Sequence, residues 1–155
     1  MEGFSLSGVE LQEHLQSRYP FLMIDHVDEV IPGKSAKGYK NLTLNEWFFP
    51  MHFPNKPIMP RTIQLESLEE MLIITVKTLA GNKGKTTRFI SASSKFLKDV
   101  FPGEKLVIET KVASWRRGIL KGKGVAYTNG TIACEADMVI TFPDILDGFL
   151  PQNKN

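Results

Sequence analysis

The sequence predicts an α+β fold in which one antiparallel β-sheet wraps around a single long helix. Three observations carry that expectation: one sustained helical pattern, a run of strand-like segments parted by Gly- and Pro-containing turns, and a composition close to globular averages. The 155 residues suit one domain spanning 1–155, with its core at about residues 8–150. A hydrophobic share of 42% with 23% charged residues excludes wholesale disorder. The net charge, 19 − 17 = +2, gives no sign of a nucleic-acid partner. Cys134 stands alone, so neither an intramolecular disulfide nor a cysteine zinc site can form. No apolar run approaches the ~20 residues of a membrane span, the longest obvious one being Met71 to Val76, so no membrane partner is expected. Met1-Glu2-Gly3-Phe4 lacks the basic and apolar regions of a signal peptide, and the expected location is the cytoplasm.

The elements follow from the punctuation. Met1 to Ser7 and Gln152 to Asn155 read as loose tails. Leu22 to Ile31 alternates and stops at Pro32-Gly33, a strand ending in a turn, and Ser35 to Leu44 is its hairpin partner. From Asn45 to Pro60 four prolines exclude helix and central strand. The segment is an ordered loop whose aromatics, Trp47, Phe48, Phe49 and Phe53, are expected to be buried. Leu65, Leu68, Leu72, Val76 and Leu79 then recur at spacings of three and four, one face of a helix. Pro60 suits its first turn and Gly81 its stop. Ile63, Met71, Ile73 and Ile74 lie off that stripe, so the helix is apolar nearly all round and buried on most sides. Thr86 to Leu97, Lys105 to Ser114, Leu120 to Tyr127 and Thr131 to Thr141 are rich in β-branched and aromatic residues. Phe101-Pro102-Gly103, Arg117-Gly118 and Asn129-Gly130 separate them, the last being the strongest hairpin signal in the chain. About six strands around one helix leave sheet edges and a half-covered helix exposed, so at least a dimer is expected.

Four constellations could carry chemistry. His52 lies in the proline-rich loop, and histidine is the side chain most often used to move protons. Glu66, early in the buried helix, is a carboxyl that burial would keep protonated. A base near neutrality and a raised acid together suit elimination or addition, although a loop histidine and a surface glutamate fit the spacing as well. Glu69 and Glu70 share the helix with Glu66; a second carboxyl nearby would raise one member's pKa. The simpler reading has Glu69 and Glu70 meeting solvent or a cation such as Arg61 or Arg88. Arg116, Arg117, Lys121 and Lys123, with Lys95 and Lys98, could dock an acidic protein or a phosphate arm, or simply solvate strand edges. Cys134 reads as a small core residue, and His14 and His26 have no partner in the sequence that marks them out. A metal site has little support, because His52 would be the sole nitrogen ligand.

These residues also form a familiar series. Arg18-Tyr19-Pro20-Phe21-Leu22-Met23-Ile24-Asp25 is followed by Asn41-Leu42-Thr43-Leu44-Asn45-Glu46-Trp47-Phe48-Phe49, His52-Phe53-Pro54, Pro57-Ile58-Met59-Pro60, Gln64-Leu65-Glu66 and, later, Phe101-Pro102-Gly103-Glu104. In order and spacing they resemble the bacterial 3-hydroxyacyl-[acyl-carrier-protein] dehydratases of fatty acid synthesis. The resemblance implies the hot-dog fold, a homodimer or trimer of dimers, and an acyl tunnel at the dimer interface. It implies that His52 and Glu66, contributed by opposite subunits, are the catalytic pair, that Phe53, Pro54, Met59, Arg61 and Glu70 meet the substrate, and that no metal or other cofactor takes part. The implied partner is acyl carrier protein or another acyl thioester.

Three places depart from the family's usual pattern: Met51 stands where glycine usually precedes the histidine, Arg61 where glycine follows Met-Pro, and Glu69 with Glu70 where a small residue and a glutamine are common. Two further readings therefore stay beside the dehydratase: a non-catalytic hot-dog protein that binds acyl chains or partners an active enzyme, and a thioesterase on the same fold.

Overall fold

A computed structural model describes residues 2–152. In chain order the elements are β1 (Phe4–Leu6), α1 (Gly8–His14), β2 (His26–Ile31), β3 (Ser35–Asn41), α2 (Arg61–Lys77), β4 (Arg88–Phe96), β5 (Lys105–Arg116), β6 (Ile119–Thr128), β7 (Thr131–Thr141) and α3 (Pro143–Leu146), with a 3₁₀ turn at Asp147–Phe149. The strands make one antiparallel sheet ordered β1-β2-β3-β5-β6-β7-β4, and α2 lies against it, touching β3, β5, β6 and β7. This is the α+β arrangement, an antiparallel sheet around one long helix, that the sequence predicts, and it agrees with the hot-dog fold that the resemblance implies.

The strands exist because their turns and alternation agree. Arg117 and Gly118 (φ 53° and 81°), then Asn129 and Gly130 (φ 50° and 75°), both adopt left-handed backbone in two-residue turns, which matches the twist of paired strands. Between those turns β6 buries Leu120, Gly122, Gly124 and Ala126 and turns Lys121 and Lys123 to solvent. The small inward residues let α2 approach. A Cβ on Gly122 would lie 2.6 Å from Leu72 Cδ1, and one on Gly124 3.1 Å from Leu68 Cβ.

From Ser67 to Lys77 every residue of α2 is buried, whereas Ile63, Leu65 and Glu66 are only partly covered. The long apolar stretch thus behaves as the all-round pattern demands. The helix stops at Lys77, with Thr78 Oγ1 donating to Ile74 O at 2.9 Å. Leu79 belongs to the turn that follows, and Gly81 has φ +82°. Pro60 is the residue just outside the helix start, not in the first turn.

Several boundaries differ from expectation. The N-terminal tail is structured: Phe4–Leu6 pairs with β2, and Ser7 caps α1 through a reciprocal bond with Glu10. The strand expected from Leu22 starts only at His26, because Met23 N–H is drawn inward to Glu70 Oε2 at 2.7 Å and cannot join a ladder. β3 ends at Asn41, where Leu42 N–H turns to Glu104 O. Seven strands replace the expected six, β1 being the addition. Of the expected C-terminal tail, Gln152 has no regular structure and residues 153–155 lie outside the described residues, as does Met1.

Candidate active site

The loop between β3 and α2 is fixed at several points. Lys40 at the end of β3 is buried and its Nζ lies 2.7 Å from Glu46 Oε1 and 3.3 Å from Asp25 Oδ2. Phe48 and Phe49 are buried edge to face, 4.7 Å between centroids, and Trp47 Nε1 donates to Pro20 O at 3.0 Å. Phe53 departs from the expected burial: it is exposed, stacked on His52 with centroids 4.2 Å apart. The chain then reverses, Lys56 N–H donating to Phe53 O and Ile58 N–H to His52 O.

His52 sits partly exposed in this reversal, its Nδ1 3.1 Å from Ile58 O. A carbonyl oxygen only accepts, so Nδ1 carries the proton of that bond and the neutral ring keeps its lone pair on Nε2. Beyond it Met59 is buried with its N–H on Val100 O. The Arg61 and Thr62 N–H groups at the start of α2 have no acceptor among the described residues, and no side chain caps the helix. They form an open, partly positive helix end.

Glu66 lies in the second turn of α2. Burial raises its pKa, while a hydrogen bond from Glu69 opposes the rise. Glu69 itself is pushed up to about 9 by burial and then by the Glu66 charge and hydrogen bond. Glu70 stands well above the usual carboxylate range, through burial first and its two acidic neighbours after; Oε2 accepts Met23 N–H and Oε1 has no partner. The expectation that Glu69 and Glu70 meet solvent or a cation is overturned: they are 8% and 2% exposed. Arg61 instead reaches Asp99 Oδ1 at 3.6 Å and the face of Phe96. The helix is buried all round, and residues 69 and 70 fall where that burial is already complete.

Glu66, Glu69 and Glu70 line one cavity of about 150 Å³, together with Lys77 from the same helix, Ser17 after α1 and Thr87 before β4. Sequence reasoning passed over Lys77, although it lies on the Glu66–Ile73 helical stripe; burial pulls its ammonium down to about 8, and it donates to Lys85 O. The cavity does not include His52, and within one chain His52 and Glu66 share no hydrogen bond among the described residues. Of the positions implied to meet substrate, Phe53 and Pro54 are exposed, Met59 and Glu70 buried, and Arg61 is held by Asp99. Cys134 is a buried strand residue whose thiol is pushed up to about 12, mainly by burial. Among the described residues no three His, Cys, Asp or Glu side chains group as a metal site, and no helix is long and apolar enough to cross a membrane.

A sheet folded over one helix with an acid-bearing first half defines a class. Residues 15–137 match the model of the FabA-like domain, and the chain belongs to that family. Among curated relatives, the 3-hydroxyacyl-[acyl-carrier-protein] dehydratase FabZ of Bacillus licheniformis is 40% identical over 137 residues, 88% of this chain and 95% of that protein. FabZ of Bacillus subtilis is 38% identical over 134 residues, 86% and 95% of the two chains. The solved dehydratase heterocomplex ApeI:P from Xenorhabdus doucetiae superposes with a TM-score of 0.72 over 92% of this chain and 97% of that one, at 10% identity; at such identity the likeness is one of fold.

Proposed function

We propose that this protein removes water from a 3-hydroxyacyl thioester carried on acyl carrier protein, giving the trans-2-enoyl thioester in cytoplasmic fatty acid or related lipid synthesis. The observation that carries the reading is Glu66: a carboxyl biased by burial towards its protonated form, on a half-covered stretch of α2 five residues from Arg61, the first residue of an uncapped helix. Named relatives at about 40% identity point the same way. His52 Nε2 takes the proton from C2, the electron pair forms the C2=C3 bond, and the C3–O bond breaks. Glu66 gives its proton to the departing hydroxyl, which leaves as water. The open amides of Arg61 and Thr62 stabilise negative charge developing on the thioester oxygen. No metal or organic cofactor is required by these steps.

The whole chain serves as one domain, and the unit that works is a homodimer or a trimer of dimers in which His52 of one protomer meets Glu66 of its partner. Two features support it: the free edge of β4, nine residues long with Ile90 exposed, and the half-covered start of α2. Phe53, Pro54 and Arg61 stand at the entrance, and Met59 and Glu70 back the acyl path.

The test is turnover of 3-hydroxyacyl thioesters, or hydration of crotonyl thioesters in the reverse sense, followed by enoyl-thioester absorbance. The wild type should be active, and His52→Ala and Glu66→Gln should each lower kcat about 10²–10⁴-fold with the fold intact, the usual size of a general acid or base contribution. A folded, dimeric but inert wild type would favour the non-catalytic hot-dog reading.

A further inference from the structure

We propose that Glu66 and Glu69 act as one unit holding a single shared proton, with Glu69 as the positioning residue that keeps Glu66 able to donate it. The inference rests on the dehydration reading for its role, but its core is geometric. The two residues are three apart on α2, so their side chains stand on one helix face. They line the same 150 Å³ cavity, where a side-chain hydrogen bond between them lowers the pKa of Glu66 and raises that of Glu69. Two carboxyl groups can make that bond only if one of them carries a proton.

The surroundings favour retention of that proton. From α2 itself the titratable groups facing the pair are Glu70 and Lys77; the segment after α1 brings Gln16 and Ser17, and the stretch before β4 brings Thr86 and Thr87, none of which ionises near neutral pH. Glu70 is buried with Oε1 unpartnered, so it adds a third carboxyl to the same wall. Like charges confined in this way cannot all ionise. During turnover the pair passes its proton to the leaving hydroxyl and becomes two carboxylates. A proton from solvent water then restores the starting state. Sharing lets Glu66 accept a hydrogen bond at rest and still act as an acid, because the proton moves within one bond.

The experiment follows the side-chain carboxyl carbons of ¹³C-labelled glutamate by NMR across pH, in wild type and E66Q, beside the pH profile of kcat/KM in wild type and E69Q. In wild type one carboxyl of the pair should stay protonated past neutrality and titrate near pH 9. In E66Q, the Glu69 titration should fall by about one pH unit or more, the ordinary effect of a neighbouring charge. E69Q keeps a hydrogen-bond donor but no acidic proton, so its alkaline limb should move down by about one unit and kcat/KM above pH 9 should fall by about tenfold, each unit being a factor of ten. A Glu69 titration that ignores E66Q overturns the shared proton. An E69Q that is slower at every pH with an unmoved limb overturns the positioning role. If wild type turns over no thioester, the dehydration reading fails by itself, and the NMR titration still decides the pair.

Discussion

Glu69 and Glu70 are acidic side chains in a place where acids are poorly tolerated, and this fixes how stability responds to pH. An acid whose folded-state pKa is raised binds more protons folded than unfolded between the two values, so stability falls as pH rises through that window. For Glu69 the window runs from its ordinary 4.5 up to about 9, and the slope is at most roughly 1.4 kcal/mol per pH unit and group. Glu70 acts in the same direction. Wild-type melting temperature should therefore drop between pH 5 and pH 8, and Glu69→Gln, which removes one such group, should drop less and melt higher than wild type at pH 8. Differential scanning calorimetry at both pH values checks this; equal slopes in the two proteins contradict it. His52 and Glu66, the proposed pair, rest on residue chemistry and on the series of motifs around them. The burial of Glu69 and Glu70 was legible only in part: side-chain type alone assigns them to solvent, whereas the apolar residues on every side of Met71 already place that turn inside. The protonated Nδ1 of His52 was out of reach, since it depends on where Ile58 O lies.

At the scale of elements, α2 and the β5–β6–β7 meander form because several local signals agree. Two Xaa-Gly turns suit only two-residue hairpins, and the strands they join alternate inward and outward residues. Gly122 shows the spacing at its tightest: an added methyl meets Leu72 Cδ1 at 2.6 Å and the carbonyl of Lys111 at the same distance. Gly122→Ala should thus destabilise the fold by about 1–3 kcal/mol, the usual penalty for overpacking, as read from urea unfolding midpoints with an unchanged m-value. No loss would mean that α2 can lift from the sheet without penalty. The hairpins were plain from sequence, because their residues require left-handed backbone. Less plain was α1, only seven residues long and lacking a repeated apolar stripe; its Ser7-x-x-Glu10 cap was the one available signal. The start of β2 was misplaced because a side chain 47 residues away, Glu70, captures the Met23 amide, and no local pattern encodes such a partner.

The whole molecule raises the question of where one active unit ends. A single chain leaves the nine-residue β4 with one free edge and the first six residues of α2, Gln64 apart, incompletely covered, while the proposed base and acid share no bond within it. A long open edge and a partly apolar helix face are the features that self-association buries. They were foreseeable from counting strands against one helix, whereas the residues that would meet across the interface were implied only by family resemblance. The most direct measurement mixes His52→Ala and Glu66→Gln proteins, unfolds and refolds them together, and assays thioester dehydration. If base and acid come from different protomers, random pairing makes half of the dimers mixed, each with one intact site of two, so activity should recover to about a quarter of wild type. If both residues serve from the same chain, a mixed dimer also keeps no more than its defective sites, and activity staying at the level of the single variants would contradict the account.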